Sequence, residues 1–285
     1  MSVHDSPPDV AASTRASAES GTEASAVQYD VTNGVATIRL NRPEAMNSLD
    51  IATKELLRDT VQKAASDAAA RCVVLTGTGR AFCTGQDLKE HIALLESGSS
   101  EELFTTVEKH YNPIVSALAS MPKPVIAAVN GVAAGAGASL AFACDIRVVA
   151  DTAGFNLAFA NVALSCDTGS SYTLQRLVGP AKALDLLYFP RTVKAEEALT
   201  LGLASQVVPA DQLDATVAEL AGRLAAGPTV ALGAIRRSVA YAASHTFEEA
   251  LALEGQMMTE TGATADHRAA VEAFVAKQKP VFEGR

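Results

Sequence analysis

Residues 162–173, VALSCDTGSSYT, place one carboxylate, Asp167, between an apolar run and a cluster of small hydroxyl residues. An acid in that setting can be the N-cap of a helix over 168–178, with Gly169 and Ser170 in its first turn. Held against an apolar wall, it can instead keep a raised pKa and serve as a general acid and base. Two glycine-bearing turns are the other chemical feature: TGTGRAFCTGQDLKE (76–90) and NGVAAGAGASLAFACD (130–145). Each leads from an apolar run into a helix. Small residues let a backbone approach a ligand closely, and N–H groups at a helix start lack intrahelical acceptors and carry partial positive charge. One amide from each turn, converging on a single oxygen, makes an oxyanion hole. The plainer alternative is two ordinary strand-to-helix connections, and spacing alone favours it. The stretch from Gly135 to Leu140 misses the third glycine of a dinucleotide fingerprint, and no G-x-x-x-x-G-K-[ST] occurs, so a P-loop is excluded.

The elements that must position these groups are legible in part. VQYDVTNGVATIRL is patterned as a β-hairpin turning at Asn33-Gly34, with Ala36, Ile38 and Leu40 on one face. Asp50 is placed to cap a helix running to about residue 66, with Ile51, Leu56, Leu57 and Val61 on its apolar side. CVVLTG, KPVIAAVNG and CDIRVVAD are short continuous apolar runs, the mark of buried strands, and helical stretches separate them. That alternation gives an α/β core. Beyond residue 168 the pattern is helical over 168–178, 180–188, 195–201, 211–226, 229–243, 247–260 and 264–276, with SQVVP as one strand between them. Residues 1–26, rich in Ser, Ala, Thr and acid, read as a mobile tail. The α/β core is expected over 27–210 and a helical C-terminal region over 211–285.

The chain has 285 residues and a formal net charge of −9. That balance argues against a nucleic-acid surface. The four cysteines, at 72, 83, 144 and 166, form no C-x-x-C pair and read as free thiols in a reducing cytosol, with neither a disulfide set nor a metal site. No membrane span and no secretory signal are read, so the expected location is cytoplasmic.

GRAFCTGQDLKE and AAVNGVAAGAGASLAFACDIRVVAD resemble the two diagnostic segments of the enoyl-CoA hydratase/isomerase (crotonase) superfamily. LNRPEAMNSLD, LQRLVGPAKALDLL, AEEALTLGLASQVVP and AVEAFVAKQKPVFEGR resemble its further motifs in the right order, covering residues 27 to 285. The resemblance implies a spiral of ββα repeats, a helical C-terminal trimerisation region, and assembly as a homotrimer or a dimer of trimers. It implies an acyl-CoA thioester substrate, a place in fatty-acid metabolism, and no separate cofactor, since coenzyme A belongs to the substrate. By position, the oxyanion amides are those of Gln86 and Ala136. The segment from Thr84 through Asp87 and Leu88 to Lys89 is implied to lie along the CoA arm, although Asp87 itself reads mainly as a helix cap. Phe274 and Lys277 match positions that reach the CoA of the same or a neighbouring subunit; for Lys277 a solvated helix charge is the equal alternative.

The family's hydratases use two glutamates, and here those places hold Ser139 and Phe159. The carboxylate left in the catalytic stretch is Asp167, which matches the aspartate of several isomerases and of aroyl-CoA dehalogenases. GVAAGAGASLA and FCTGQDL look most like the phenylacetate-pathway CoA-ester isomerase. The resemblance therefore turns the reading of Asp167 from cap to acid/base, with Val162, Ala163, Leu164 and Cys166 as a dry wall and the pocket floor drawn from 91–111 and 155–175. An enoyl-CoA hydratase (a lyase) is the first alternative. A dehalogenase-like enzyme follows, but it would need a tryptophan, which the chain lacks, and a histidine base. His91 and His110 read as surface residues. A non-catalytic acyl-CoA binder is the remaining alternative.

Overall fold

The computed structural model describes Met1, residues 25–98 and residues 100–285. The expected tail over 1–26 lies almost wholly outside the described residues. The hairpin forms as β1 (Val27–Thr32) and β2 (Val35–Leu40), with Asn33 and Gly34 both at positive φ as a tight two-residue turn needs. The apolar runs become β3 (Cys72–Gly77), β5 (Val125–Val129) and β7 (Ile146–Ala150), which are buried along nearly their whole length. With β10 (Gln206–Val208) they complete a six-stranded sheet in the order β1-β2-β3-β5-β7-β10, parallel from β2 onward.

A second sheet was not legible as strands. β4 (Ala81–Cys83), β6 (Val132–Ala134), β8 (Gly154–Asn156) and β9 (Thr192–Lys194) pair in that order, each three residues long. Each of β3, β5 and β7 is followed within a few residues by its partner in this smaller sheet, and a helix comes next. Repeated three times, that ββα step winds the chain into a spiral, with α2 (Leu88–Glu96), α5 (Ala136–Phe142) and α6 (Ser170–Val178) closing the successive turns. The glycine turns thus sit on short strands of the inner sheet.

Helix α1 (Ile51–Ser66) starts where expected: the Asp50 carboxylate accepts from the Thr53 N–H at 2.8 Å. Its buried face differs from the expected one. Leu56 is 43% exposed, whereas Lys54 is buried at 1% along with Leu57 and Val61. Helices α3 (Ser100–Thr106) and α4 (Asn112–Ser120) are joined by one π-helical turn, Val107–Tyr111. α7 (Pro180–Tyr188) and α8 (Ala195–Leu201) follow α6. α9 (Leu213–Ala225), past the expected boundary at 210, packs on the large sheet with Leu213, Val217, Ala221 and Ala225 in the same continuous core. α10 (Thr229–Ala242), α11 (Phe247–Gly262) and α12 (Ala265–Val275) stand outside that core and leave Ile235, Val239, Met258 and Phe274 exposed. Among the described residues no helix is long and apolar enough to cross a membrane.

The contact between the two glycine turns is backbone against backbone. A Cβ on Gly137 would stand 2.1 Å from the Cys83 carbonyl oxygen, a separation no side chain tolerates. Gly137→Ala is therefore expected to cost about 3 kcal/mol or more of stability, read as a lower denaturation midpoint in urea. An unchanged midpoint would mean that α5 and β4 are not held at this distance.

Candidate active site

The first turn is tied down by Leu49. Its N–H donates to the Gly85 carbonyl at 2.8 Å, and its own carbonyl accepts from the Asp87 N–H at 3.1 Å. This parallel bridge uses the groups on either side of Gln86, so the Gln86 N–H points to the opposite side. The second turn ends at Gly135, whose φ of 51° and ψ of −124° suit only glycine, and Ala136 opens α5. The turns meet here: a Cβ on Gly85 would lie 2.8 Å from the Ala134 carbonyl oxygen and 3.2 Å from the Ala136 nitrogen. Among the described residues, neither the Gln86 N–H nor the Ala136 N–H has a hydrogen-bond acceptor. Two adjoining, unsatisfied backbone donors form an anion-seeking corner.

Asp167 does not cap α6. Thr168 and Gly169 both take positive φ, 51° and 76°, and Gly169 occupies the N-cap position, with no side-chain hydrogen bond capping the helix. A β-branched residue in that region is strained. The Asp167 carboxylate accepts from the Thr168 hydroxyl at 2.8 Å and lines a cavity of about 450 Å³ together with Gln86, Leu103, Phe104, Tyr111, Leu164 and Cys166. Burial pushes its carboxyl above the ordinary carboxylate range, and the Thr168 hydroxyl and the Lys54 charge draw it part of the way back. The expected dry wall is only half present. Leu164 and Cys166 reach the cavity, but Val162, at the end of a short 3₁₀ segment, and Ala163, just after it, are exposed and do not line it, Val162 being 52% exposed. Leu103, Phe104, Val107 and Tyr111 supply the apolar surface opposite.

Behind the cavity lies a polar network that the residue pattern did not announce. Lys54 Nζ donates to Gln86 Oε1 at 3.1 Å and to Thr106 Oγ1 at 2.7 Å, and the Tyr111 hydroxyl donates to the same Gln86 oxygen at 2.8 Å. Two donors on one atom fix the amide orientation of Gln86. Its Nε2 is buried with no hydrogen-bond partner among the described residues. His110, expected at the surface, is buried because the π-helical turn brings it inward, and its Nδ1 stands 2.9 Å from Thr106 Oγ1. Burial and the Lys54 charge push the imidazole below its usual pKa. His91 is half-buried and lines the cavity, so it too departs from the surface position expected of it. Burial also holds the Tyr111 phenol well above its usual value, with the Asp167 charge adding to the effect.

The other residues singled out in the sequence divide into groups. Ser139 is fully buried on α5, hydrogen-bonded to the Gly135 carbonyl at 3.0 Å and closely paired with the Ser170 hydroxyl. Phe159 is buried against Gly135. Asp87 caps α2, accepting from the N–H groups of Lys89 and Glu90, and also holds Ser48 and Arg42. Thr84 donates to the Met46 carbonyl at 3.3 Å, while Leu88 and Lys89 are exposed on the first turn of α2. Phe274, at the end of α12, and Lys277, just beyond it, are exposed and do not line this cavity.

The sequence profile described as enoyl-CoA hydratase/isomerase matches residues 30–285. The chain belongs to that family, and its spiral with a helical C-terminal region is the crotonase fold. It is 41% identical over 255 residues to the 1,2-epoxyphenylacetyl-CoA isomerase of Escherichia coli K12, spanning 90% of this chain and 97% of the relative. It is 40% identical to a Rhodobacter capsulatus protein named "Probable enoyl-CoA hydratase", spanning 91% of this chain and 98% of that one. The crystal structure of an enoyl-CoA hydratase from Bacillus anthracis, 31% identical, superposes with a TM-score of 0.85 over 92% of this chain and 100% of that one.

Proposed function

We propose that the protein is an acyl-CoA double-bond isomerase that works with one carboxylate, Asp167. The observation that carries this reading is the cavity itself: Asp167 lines it, while Ser139 and Phe159 stand where hydration would call for carboxylates. In the proposed reaction the thioester oxygen takes the corner between the Gln86 and Ala136 amides. Asp167, ionised, removes a proton from one carbon of the acyl chain. The electron pair spreads into the thioester, and the two N–H donors stabilise the oxygen's growing charge. Asp167 then returns the same proton two carbons away, so the double bond moves with no net change in atoms or charge. Its raised pKa makes the carboxylate a stronger base for the first half of the transfer.

The substrate reading extends to the CoA moiety. Thr84, Leu88 and Lys89, at the start of α2, would follow the CoA arm, with Asp87 fixing that start from below. Phe274 and Lys277, exposed at the C-terminal end, would reach a neighbouring subunit's CoA in a homotrimer or a dimer of trimers. The exposed apolar residues of α10–α12 favour such an assembly. The E. coli relative's name makes a cyclic, oxygen-bearing acyl group a candidate substrate. Hydratase is the second reading, because a relative bearing that name is equally similar.

A panel of 3-enoyl-, 2-enoyl- and aryl-CoA esters separates these readings. Double-bond transfer is expected to exceed hydration of 2-enoyl-CoA by about 100-fold, the usual share of a positioned acid/base group. Hydration as fast as isomerisation would defeat the one-carboxylate mechanism, and halide release from a chloroaryl ester would favour the dehalogenase chemistry.

A further inference from the structure

Lys54 is a buried charge on the first turn of α1. It is 1% exposed, and its ammonium meets two neutral oxygens, Gln86 Oε1 at 3.1 Å and Thr106 Oγ1 at 2.7 Å. A methionine or leucine there would avoid the desolvation that a buried ammonium suffers. Gln86 and Thr106 line the same cavity as Asp167. The acids around Lys54 are of two kinds. Asp50 and Asp87 are both ion-paired with Arg42, at 2.9 and 3.2 Å. Glu90 accepts from the Ile51 N–H with both oxygens, at 3.0 and 3.1 Å, which places it at the positive end of α1. Asp167 has no ion pair with any cation among the described residues, yet it feels the Lys54 charge. His91 and Tyr111 also face this cavity, and His110 packs behind it.

We propose that Lys54 is a positioning residue for the acyl pocket: its buried ammonium fixes the Gln86 side chain on one wall and sets a positive charge against two residues, Gln86 and Thr106, that line the cavity with Asp167. This rests on the reading of Asp167 as the acid/base. Lys54 does not line the cavity and touches no reacting atom. It acts through space on Asp167 and through hydrogen bonds on Gln86, whose oxygen it shares with Tyr111. The same contacts would also serve a purely mechanical tie between α1, the first glycine turn and α3, and the carboxyl's titration tells the two apart.

The experiment follows the Asp167 carboxyl directly, by ¹³C NMR of protein labelled at aspartate carboxyl carbons, with the signal assigned by its loss in D167N. It compares the wild type with K54M, K54Q and K54R. Folding is checked by thermal unfolding, and K54Q decides if K54M does not fold. The Asp167 midpoint is expected to rise by about one pH unit in K54M and in K54Q, which lacks the charge but keeps a donor, and to stay near the wild-type value in K54R. Where an enoyl-CoA is turned over, the acid limb of kcat/KM moves by the same amount. Unmoved midpoints in folded K54M and K54Q overturn the proposal, as does a shift in K54M that K54Q does not share. If no acyl-CoA ester is turned over by the wild type, the functional reading falls, but the carboxyl titration still decides the role of Lys54.

Discussion

Asp167→Asn is expected to lower kcat for the proposed double-bond transfer by about 10²–10⁴-fold and to leave acyl-CoA affinity nearly unchanged. Asparagine keeps the size of the side chain and an acceptor for the Thr168 hydroxyl, but it cannot carry a proton between two carbons. The two amides and the apolar walls remain to bind the thioester. Stopped-flow or steady-state kinetics beside calorimetric binding gives both quantities; turnover that survives intact refutes the acid/base role. Stability should move the other way. Burial raises the folded-state carboxyl above its unfolded value, so the folded protein binds the proton more tightly than the unfolded one does. Stability is then lost as pH climbs from the ordinary carboxylate range through the raised one. The loss persists at neutral pH, where D167N, which has no such group, is expected to unfold at a higher temperature than the wild type. In acid the two should converge. The chain would thus be less stable at neutral pH because of the group proposed to carry its chemistry.

Removal of one backbone donor is the second large effect. Replacing Ala136 by its hydroxy-acid analogue, lactic acid, exchanges the N–H for an ester oxygen and adds no bulk at the corner facing Gly85. A loss of about 10²–10³ in kcat is expected, the usual worth of one oxyanion donor. The ester also weakens the Gly135 carbonyl as acceptor for the Ser139 N–H and hydroxyl, so the thermal midpoint should fall modestly. A drop in kcat with CoA-ester binding retained places the amide at the developing charge. An undiminished kcat would show that the oxygen is held elsewhere.

The large sheet was legible because its strands are continuous apolar runs, and the later helices because long periodic stretches end in turn residues. The small sheet was not. Ala81–Cys83, Val132–Ala134 and Gly154–Asn156 are too short to show alternation, and each lies within or beside a glycine turn whose flexibility dominates the local pattern. Asp167 could be found only as an acid next to small residues, a pattern that capping and catalysis share. A side-chain cap is absent where Thr168 and Gly169 take positive φ, which a threonine does not advertise. Lys54 was missed for a related reason. A lysine four residues after a helix cap reads as solvated, and its burial depends on Gln86 and Thr106, 32 and 52 residues away along the chain. His110 carries no signal of burial in the sequence; it lies on the π-helical turn, which the residue pattern does not announce.

The π-helical turn at Val107–Tyr111 makes the cavity a matter of chain length as well as composition. A π turn accommodates one residue more than the α-helical turn it replaces. Deleting a single residue from this stretch would let the turn relax to α geometry and swing the side chains on one side of the deletion by about 100° relative to those on the other. Tyr111 and His110 would leave Gln86 and Thr106, and the wall facing Asp167 would be rebuilt without any substitution. Relatives that differ here by one residue would then have pockets of different shape on the same spiral, and an indel at this point would alter acyl-group preference while the oxyanion corner stayed fixed.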